Sequence, residues 1–584
     1  MELTTQSLTL SDCGAYWHYA PDMSRIDGIM REHGLSFVLS SCLAALNLNP
    51  GRDIEEFLHS TLDHLHDPML MLNMPKACER LKRAICEREP IRVVTDYDVD
   101  GTMSSLILQG VLKICGHTEF SYHIPDRKVE GYGFTTIAAQ KAIDDGIKLI
   151  VTADIGVRDE AAISLAQQHG IDVIVLDHHI PIGQGVPPSA YAVLCPPQAG
   201  CSYPNKSLAA CGISLKFAQA LLSSHPKYDM ILRSLMKLAA LGTVADVVSL
   251  SDPENRAIVT FGLDSLNYDI SKPGLKALLN VSNAQPGTID STAISYRIGP
   301  RINAAGRLAS ATLIIDLLHA PNSVIAANLA AKLDAMNLNR QNIQATMVQT
   351  AIEQAGDAEA PFIVIALPES PTWHSGVAGI VAGKLKEHFH KPVAIATIDG
   401  CMMTGSVRST PAVHAVKALT SVGHLLTKYG GHAAAAGFSC PVENLEEFRS
   451  GLCENAIAQL DGEPEIPMTE ITCCLEPEQI ETSLFDELLR LEPCGSQNPK
   501  PMICIKNAHF SDVRTLKEKH LEARIDNAGI PIRCIWFFAP IARETFASST
   551  HHLVGELQKE IRNGYINYQL CVRDACRSTE NVFV

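Results

Sequence analysis

The chain has 584 residues, of which 46% are hydrophobic, 19% charged and 5% aromatic, and its net charge is −16. Such a length excludes a single compact core and asks for about three or four domains, while the composition is that of an ordinary soluble globular protein. No apolar stretch reaches about 18 residues, so no membrane span is expected, and MELTTQSLTLSDCGAYW lacks the basic region and apolar core of a secretory signal.

Taken in chain order, residues 24–90 read as helical, with apolar residues at helical spacing in IDGIMREHGLSFVLSSCLAALNL and in ACERLKRAICER. The pattern then changes. Ile91–Thr95, Leu149–Ala153 and Val173–Leu176 are short β-branched runs, separated by helical segments at Met103–Cys115, Thr135–Gly146 and Glu160–His169. This alternation predicts βαβ units and a parallel sheet. Ser323–Ala355 holds no Gly or Pro and reads as one long connecting helix. A second α/β segment follows, with strands at Phe362–Ala366 and Val393–Thr397 around a helix at Gly376–His388. The last segment has strand-like runs at Met502–Lys506, Ile530–Phe538 and Tyr565–Val572, which suggests a small β-barrel.

The expected fold is therefore α/β: two α/β lobes joined by a long helix, plus a C-terminal OB-fold-like barrel. The expected divisions are a helical segment at 1–90, a first lobe at 91–322, the connector at 323–356, a second lobe at 357–462 and the barrel at 463–584.

The 18 cysteines are scattered, with no CxxC pair. Zinc ribbons and disulfide frameworks need paired spacings, so these read as reduced, small apolar residues in a cytoplasmic protein. The acidity is uneven. Residues 441–500 hold 14 acidic and 3 basic residues, whereas 501–584 hold 9 and 11. A globally acidic chain thus still leaves a basic C-terminal segment for a nucleic acid.

The chemistry concentrates at strand ends. The first predicted strand runs into Asp96-Tyr97-Asp98-Val99-Asp100-Gly101, the second into Asp154, and the third into Asp177-His178-His179. Ligands of open α/β sheets bind outside the carboxyl ends of the strands. If the backbone stays extended, Asp96, Asp98 and Asp100 project to one side. Like charges so gathered call for a cation. Asp96 alone could equally be a turn residue or helix cap. An EF-hand is excluded, because no Glu stands at the twelfth loop position. Carboxylates with imidazole, and no cysteine, suit manganese, magnesium or iron, and five or more ligands suit two ions sharing a carboxylate. Asp246, in LGTVADVV, is a further candidate.

VTDYDVDG, TADIG, LDHHIP and LGTVADVVSL resemble, in order, the four metal-site motifs of the DHH phosphoesterase superfamily. Within it the likeness is to the RecJ family, extending from about residue 60 to the C-terminus through YHIPDRKVEGYGF, RINAAGRLAS, WHSGVAGIVAGKL, GSVRST, GGHAAAAGFS and EPCGSQNPKP. Three positions depart from the family pattern. Ile155 stands where a small or polar residue is common, and Cys494 and Gln497 stand where an aromatic residue and Gly are common.

The resemblance implies two lobes of DHH and DHHA1 type. It also implies a metal-dependent exonuclease that hydrolyses single-stranded DNA from 5′ to 3′ in repair or recombination. It implies Mn2+ or Mg2+, as two ions: Asp98 on one with Asp96 beside it, Asp100, His178 and Asp246 on the other, Asp154 bridging, and Asp177 with His179 orienting the ligands. Arg127, Ser406 and Arg408 would form a pocket for a 5′ phosphate.

Gly430-Gly431-His432 could offer backbone amides and an imidazole to a phosphate, with His432 stabilising developing charge there, or be a tight turn. Arg301, Asn303 and Arg307 form a further polar group that could equally be surface charges or a buried salt bridge. The resemblance implies substrate binding for both groups. In the barrel, Arg514, Lys517, Lys519, His520 and Arg533 are candidate strand contacts, and Trp536, Phe537 and Phe538 candidate stacking or core residues. The expected partners are single-stranded DNA and, among proteins, a single-stranded-DNA-binding protein or other repair and replication factors; no membrane is expected. Two other functions compete: a small-substrate DHH phosphodiesterase acting on short oligonucleotides or cyclic dinucleotides, and a non-catalytic DNA-binding relative.

Overall fold

The structure is a computed structural model, and it describes residues 9–49, 51–126, 129–181, 190–356, 359–463, 465–562, 565–580 and 582–583. The described residues form two compact units, one of 18–334 with 470–584, the other of 9–17 with 335–469. Among them no helix is long and apolar enough to cross a membrane.

The first unit opens with helices α1 (Met23–His33), α2 (Phe37–Ala45), α3 (Arg52–Leu58) and α4 (Met74–Glu87). The start of α1 is capped by the Asp22 side chain, which accepts from the Arg25 amide, and Gly34 in the left-handed region stops it.

Next come β1 (Ile91–Thr95), α5 (Val99–Ile114), β2 (Phe120–His123), α6 (Thr136–Asp144), β3 (Leu149–Ala153), α7 (Glu160–Gln168), β4 (Asp172–Leu176) and β5 (Ala192–Leu194). The five strands are parallel, in the order β2-β1-β3-β4-β5. Strands β1 and β3 are buried along their whole length, as expected where helices cover both faces of a sheet. That order places a topological switch point at the carboxyl ends of β1 and β3, where doubly wound sheets bind ligands. Ile155 lies in the core beneath this sheet, 2% exposed, so its apolar side chain is used for packing. Helices α8 (Ala210–Leu222), α9 (Tyr228–Ala245), α10 (Pro253–Tyr268) and α11 (Gly299–Leu308) follow in the lobe, with further helices at Pro273–Val281 and Thr312–Leu318.

The predicted connector is one helix, α12 (Ser323–Ala355), which runs from the first unit into the second. The second unit holds β6 (Ile363–Pro368), α13 (Ala378–Phe389), β7 (Val393–Asp399), β8 (Met402–Arg408), β9 (Lys428–Gly431) and β10 (Ala435–Pro441). Only β6 and β7 pair in parallel; β8, β10 and β9 add antiparallel strands. These three were missed in the sequence: KYGG and AAGFSCP are rich in small residues with little strand preference, and MMTGSVR has only two β-branched residues, set apart by Gly and Ser.

The C-terminal strands are β11 (Cys473–Leu475), β12 (Ile503–Ala508), β13 (Phe510–Leu516), β14 (His520–Ile525), β15 (Ile532–Trp536), β16 (His551–Arg562) and β17 (Tyr565–Arg577). They form one seven-stranded sheet in the order β11-β12-β16-β17-β15-β14-β13, whose ladder is open and does not close into a barrel. Its core is shared with the N-terminal helices: Leu39, Leu43 and Phe57 are buried in one cluster with Phe485, Leu491, Cys494 and Trp536. The N-terminal helical segment is thus a wall of the C-terminal core.

Candidate metal centre and phosphate-binding residues

The carboxylates converge at the switch point. Asp96 follows β1, and Asp98 caps α5, its side chain accepting from the Gly101 amide at 3.0 Å. Helix α5 begins at Val99, four residues before its predicted start, so Asp100 lies in a helical turn. The extended-chain expectation for Asp100 is thereby corrected. Its carboxylate turns to the N-terminus of α8, accepting from the amides of Ala210 at 2.7 Å and Cys211 at 2.8 Å. Asp154 follows β3 with φ 65°, a left-handed conformation that Asp tolerates better than most residues.

Three groupings result, each with ligand atoms within 4.8 Å of one another: Asp96, Asp98 and Asp154; Asp100, His178 and Asp246; and Asp154, His178 and His179. His178 Nε2 is 3.3 Å from Asp154 Oδ1 and 3.6 Å from Asp246 Oδ2. That nitrogen is buried and has no hydrogen-bond partner among the described residues. Such an orphan, facing carboxylates, is what a metal-free view of an imidazole ligand presents.

The electrostatics agree with this fit. Burial, and then the charges of Asp98, Asp100 and Asp96, raise the Asp154 carboxyl well above its usual range. Burial with Asp100 and Asp98 pushes Asp246 up to about 9. Burial also raises Asp100, reinforced by Asp98 and opposed by His178. The His178 imidazole is held below its ordinary value, chiefly by burial, which favours the neutral form that binds metal. Crowded carboxylates of this kind are stabilised by a cation.

Asp177 is set apart from them. Burial would raise its carboxyl, but the hydrogen bond and charge of His179, with the Val157 amide, bring it below the usual range. Asp177 Oδ1 lies 2.7 Å from His179 Nδ1, and His179 Nε2 lies 3.2 Å from the Tyr132 hydroxyl. Tyr132 was not singled out in the sequence; its position in the EGYGF stretch was the available signal.

Helix α11 packs directly on this loop: a Cβ on Gly306 would stand 2.5 Å from the Tyr97 carbonyl oxygen. Asn303 and Arg307, on the same helix, are half-buried. Arg301 is engaged elsewhere on its own helix surroundings, donating to Asp334 at 2.8 Å and to the Arg297 carbonyl at 2.8 Å. Arg127 lies outside the described residues.

In the second unit, Arg408 and Ser406 lie on β8 against the first turn of α13. A Cβ on Gly379 would come 2.9 Å from Arg408 Nη2 and 3.4 Å from Ser406 Oγ. Burial pulls the Arg408 guanidinium below its usual value, and among the described residues no carboxylate pairs with it. A guanidinium and a hydroxyl at a helix N-terminus suit an anion. Gly430 and Gly431 end β9, exposed, and His432 opens the turn from β9 to β10. Gly431 has φ 150°, and a Cβ there would stand 2.4 Å from the Ala435 carbonyl oxygen, so only glycine fits.

On the C-terminal sheet, Arg514, Arg524, Arg533 and Tyr568 line a groove with Glu522 in its floor. Arg514 and Arg533 both donate to Glu522, at 2.6 and 2.9 Å. Trp536 is buried, whereas Phe537 and Phe538 are 52% and 71% exposed, edge-on to the His520 ring at 5.3 and 4.7 Å. The aromatic trio therefore divides into one core residue and two surface rings, with Lys517 and Lys519 exposed nearby in sequence.

The chain is similar to known proteins along its length. The DHH family, N-terminal domain, matches residues 90–243, the DHHA1 domain matches 359–457, and the RecJ OB domain matches 471–574. The single-stranded-DNA-specific exonuclease RecJ of Bacillus subtilis (strain 168) is 33% identical over 569 residues, covering 96% of this chain and 71% of that protein. The crystal structure of RecJ in complex with Mn2+ from Thermus thermophilus superposes with a TM-score of 0.79 at 26% identity, covering 96% of this chain and 79% of the other. The same protein in complex with Mg2+ gives a TM-score of 0.75 at 25% identity, covering 97% of this chain and 79% of the other.

Proposed function

The chain belongs to the RecJ family, and from that premise we infer that it is a metal-dependent exonuclease that hydrolyses the phosphodiester bonds of single-stranded DNA, working 5′ to 3′ in repair or recombination. The observation that carries this reading is the set of three groupings of ligand atoms at the switch point, linked to one another through Asp154 and His178.

We assign Asp96, Asp98 and Asp154 to one ion, and Asp100, His178 and Asp246, with Asp154 between, to a second, as Mn2+ or Mg2+. When bound, such ions would supply Lewis-acid stabilisation of charge at phosphorus and activation of water. The chain's own residues do the rest. The α8 amides hold Asp100 in one orientation. Asp177 fixes the tautomer of His179, so that Nδ1–H faces the carboxylate and Nε2 faces Tyr132 and the site. Asn303 and Arg307 serve as polar contacts for the strand, and Arg301 keeps their helix in place through Asp334.

In the second unit, Arg408 and Ser406 bind the 5′-terminal phosphate; Arg127, the other candidate for that phosphate, lies outside the described residues. His432 donates to a phosphate from the turn that follows the exposed strand residues Gly430 and Gly431. The groove of Arg514, Arg524 and Arg533 follows the backbone, and Phe537 with Phe538 stack on bases, the usual division of labour when single strands bind an OB-type sheet. A DNA substrate places the enzyme in the cytoplasm, with a single-stranded-DNA-binding protein or other repair and replication factors as its protein partners. A dinucleotide would need no such track, which favours a polymeric substrate over a small one.

The test is a time course on one oligonucleotide labelled at either end, with its blunt duplex alongside, after EDTA treatment and Mn2+ or Mg2+ add-back. Mononucleotides should appear first from the 5′ label, only with metal and only from the single strand. Full activity after thorough chelation, or first release from a 3′ label, would refute the metal or the polarity assignment respectively.

A further inference from the structure

The turn that follows Asp246 is strained. Val247 has φ 60°, a left-handed conformation in which a β-branched residue is an outlier, and its side chain is 67% exposed, so burial does not offset the cost. Strain of this kind persists only where the surroundings over-determine it.

Much of that surrounding comes from a loop far away in sequence. The Leu250 amide donates to the Ser496 carbonyl at 2.9 Å. The hydroxyl of Ser249 donates to Gln497 Oε1 at 2.8 Å, that of Ser251 to the same oxygen at 3.4 Å, and the two hydroxyls lie 2.9 Å apart. Gln497 itself has φ 56°, where glycine would cost less, so its backbone contributes strain while its side chain makes the contact.

The underside of the turn is held as firmly. Buried Asn255 donates to the Ser249 carbonyl at 2.9 Å and to the Ser207 carbonyl at 3.0 Å, three residues before the helix whose amides hold Asp100. Buried Arg256 donates to the carbonyls of Leu250 and Pro493, both at 3.3 Å. The turn after Asp246 is thus clamped between Asn255 and Arg256 below and Ser496 and Gln497 opposite.

We propose that Gln497 is a positioning residue for the Asp246 carboxylate: its amide oxygen, taking both serine hydroxyls, sets the turn that aims Asp246 at His178. This rests on the assignment of Asp246 as a metal ligand. The contact is direct to the turn and indirect to the site. Its loss should therefore appear as weaker metal binding and a lower kcat, with KM for the strand unchanged.

The experiment measures Mn2+ affinity of the full-length protein by titration with detection of free Mn2+ by electron paramagnetic resonance, and in parallel the melting temperature in EDTA. Gln497→Gly suits the backbone conformation, so the fold should persist, and Ser249→Ala removes the same bond from the other side. Each should weaken Mn2+ binding by about tenfold, the range for groups that orient ligands, with the metal-free melting temperature unmoved. The double variant should be no worse than either alone. Gln497→Glu, which keeps an oxygen acceptor, should restore binding. Wild-type Mn2+ affinity in Gln497→Gly, alongside weakened binding in Asp246→Asn, overturns the positioning role while leaving the metal assignment standing. Undiminished binding in Asp246→Asn removes the ligand assignment and this proposal with it. A loss of affinity matched by a fall in the metal-free melting temperature shows a merely structural contact and also overturns it.

Discussion

Asp177 Oδ1 lies 2.7 Å from His179 Nδ1 and also accepts the amides of His178, at 2.8 Å, and His179, at 3.1 Å. One buried oxygen thus sets both the ring orientation of His179 and the backbone that presents His178. Asp154 differs: it belongs to two of the three groupings of metal-ligand atoms.

The two carboxylates should therefore fail differently. Asp154→Ala is expected to lower kcat by several kcal/mol in barrier, each ~1.4 of which is tenfold. Asp177→Ala should cost about 10–100-fold, as is usual for a group that orients a ligand. Single-turnover cleavage of a 5′-labelled strand gives both numbers, and equal residual activities would contradict the ranking.

Arg408 sits half-buried beside Ser406 and the first turn of α13, and no carboxylate pairs with it among the described residues. Removing the 5′ phosphate from an oligonucleotide should slow its degradation by the native enzyme. In Arg408→Ala, phosphorylated and unphosphorylated strands should be degraded at the same rate. A preference that survives the substitution would place the terminal phosphate elsewhere.

Phe537 and Phe538 expose most of their rings, so replacing them should leave the melting temperature nearly unchanged. The paired change to Ala should weaken single-strand binding by about 1–3 kcal/mol per lost stack. Fluorescence anisotropy at several salt concentrations checks this. The salt dependence should be preserved, since no phosphate contact is removed; native affinity in the variant would exclude these rings from the strand's path.

Glu522 carries the clearest pH signature on the C-terminal sheet. Its hydrogen bond to Arg533, and then that to Arg514, hold the carboxyl down at about 2, against 4.5 for a free side chain. A depressed folded value means that the unfolded chain binds the proton more readily. The contribution is complete above about 4.5 and is lost as pH falls towards about 2. Glu522→Gln should lower the melting temperature at pH 6, and the gap to the native protein should shrink steadily below about pH 4.5. A gap independent of pH would show that the arginines act on this side chain by packing alone.

Part of the site could be read from residues in order. Strand ends at Thr95, Ala153 and Leu176 agree with β-branched runs, and each is followed at once by acidic residues. Asp100 was misread because alternation assumes a continuing strand, whereas Asp98 caps a helix three residues after β1 ends. The strands β8, β9 and β10, which carry Ser406, Arg408 and the Gly430–Gly431 pair, were illegible because β9 and β10 are built largely of small residues with no strong strand preference and β8 interrupts its Thr and Val with Gly and Ser.

The amino-acid sequence by itself determined the three strands that run into acidic residues, the long connecting helix and the identity of the carboxylates and imidazoles, since local periodicity and residue chemistry need only near neighbours along the chain. Tertiary structure alone decided which of them meet. Asp100 finds its amides at Ala210 and Cys211, His178 finds Asp246, and Ser249 finds Gln497. The N-terminal helices find the C-terminal sheet, whose ladder is open and whose core includes Leu39, Leu43 and Phe57. No local pattern encodes such pairings: they are selected by burial of apolar surface and by satisfaction of buried polar groups across the whole fold, against the entropy of closing loops of about a hundred residues and more.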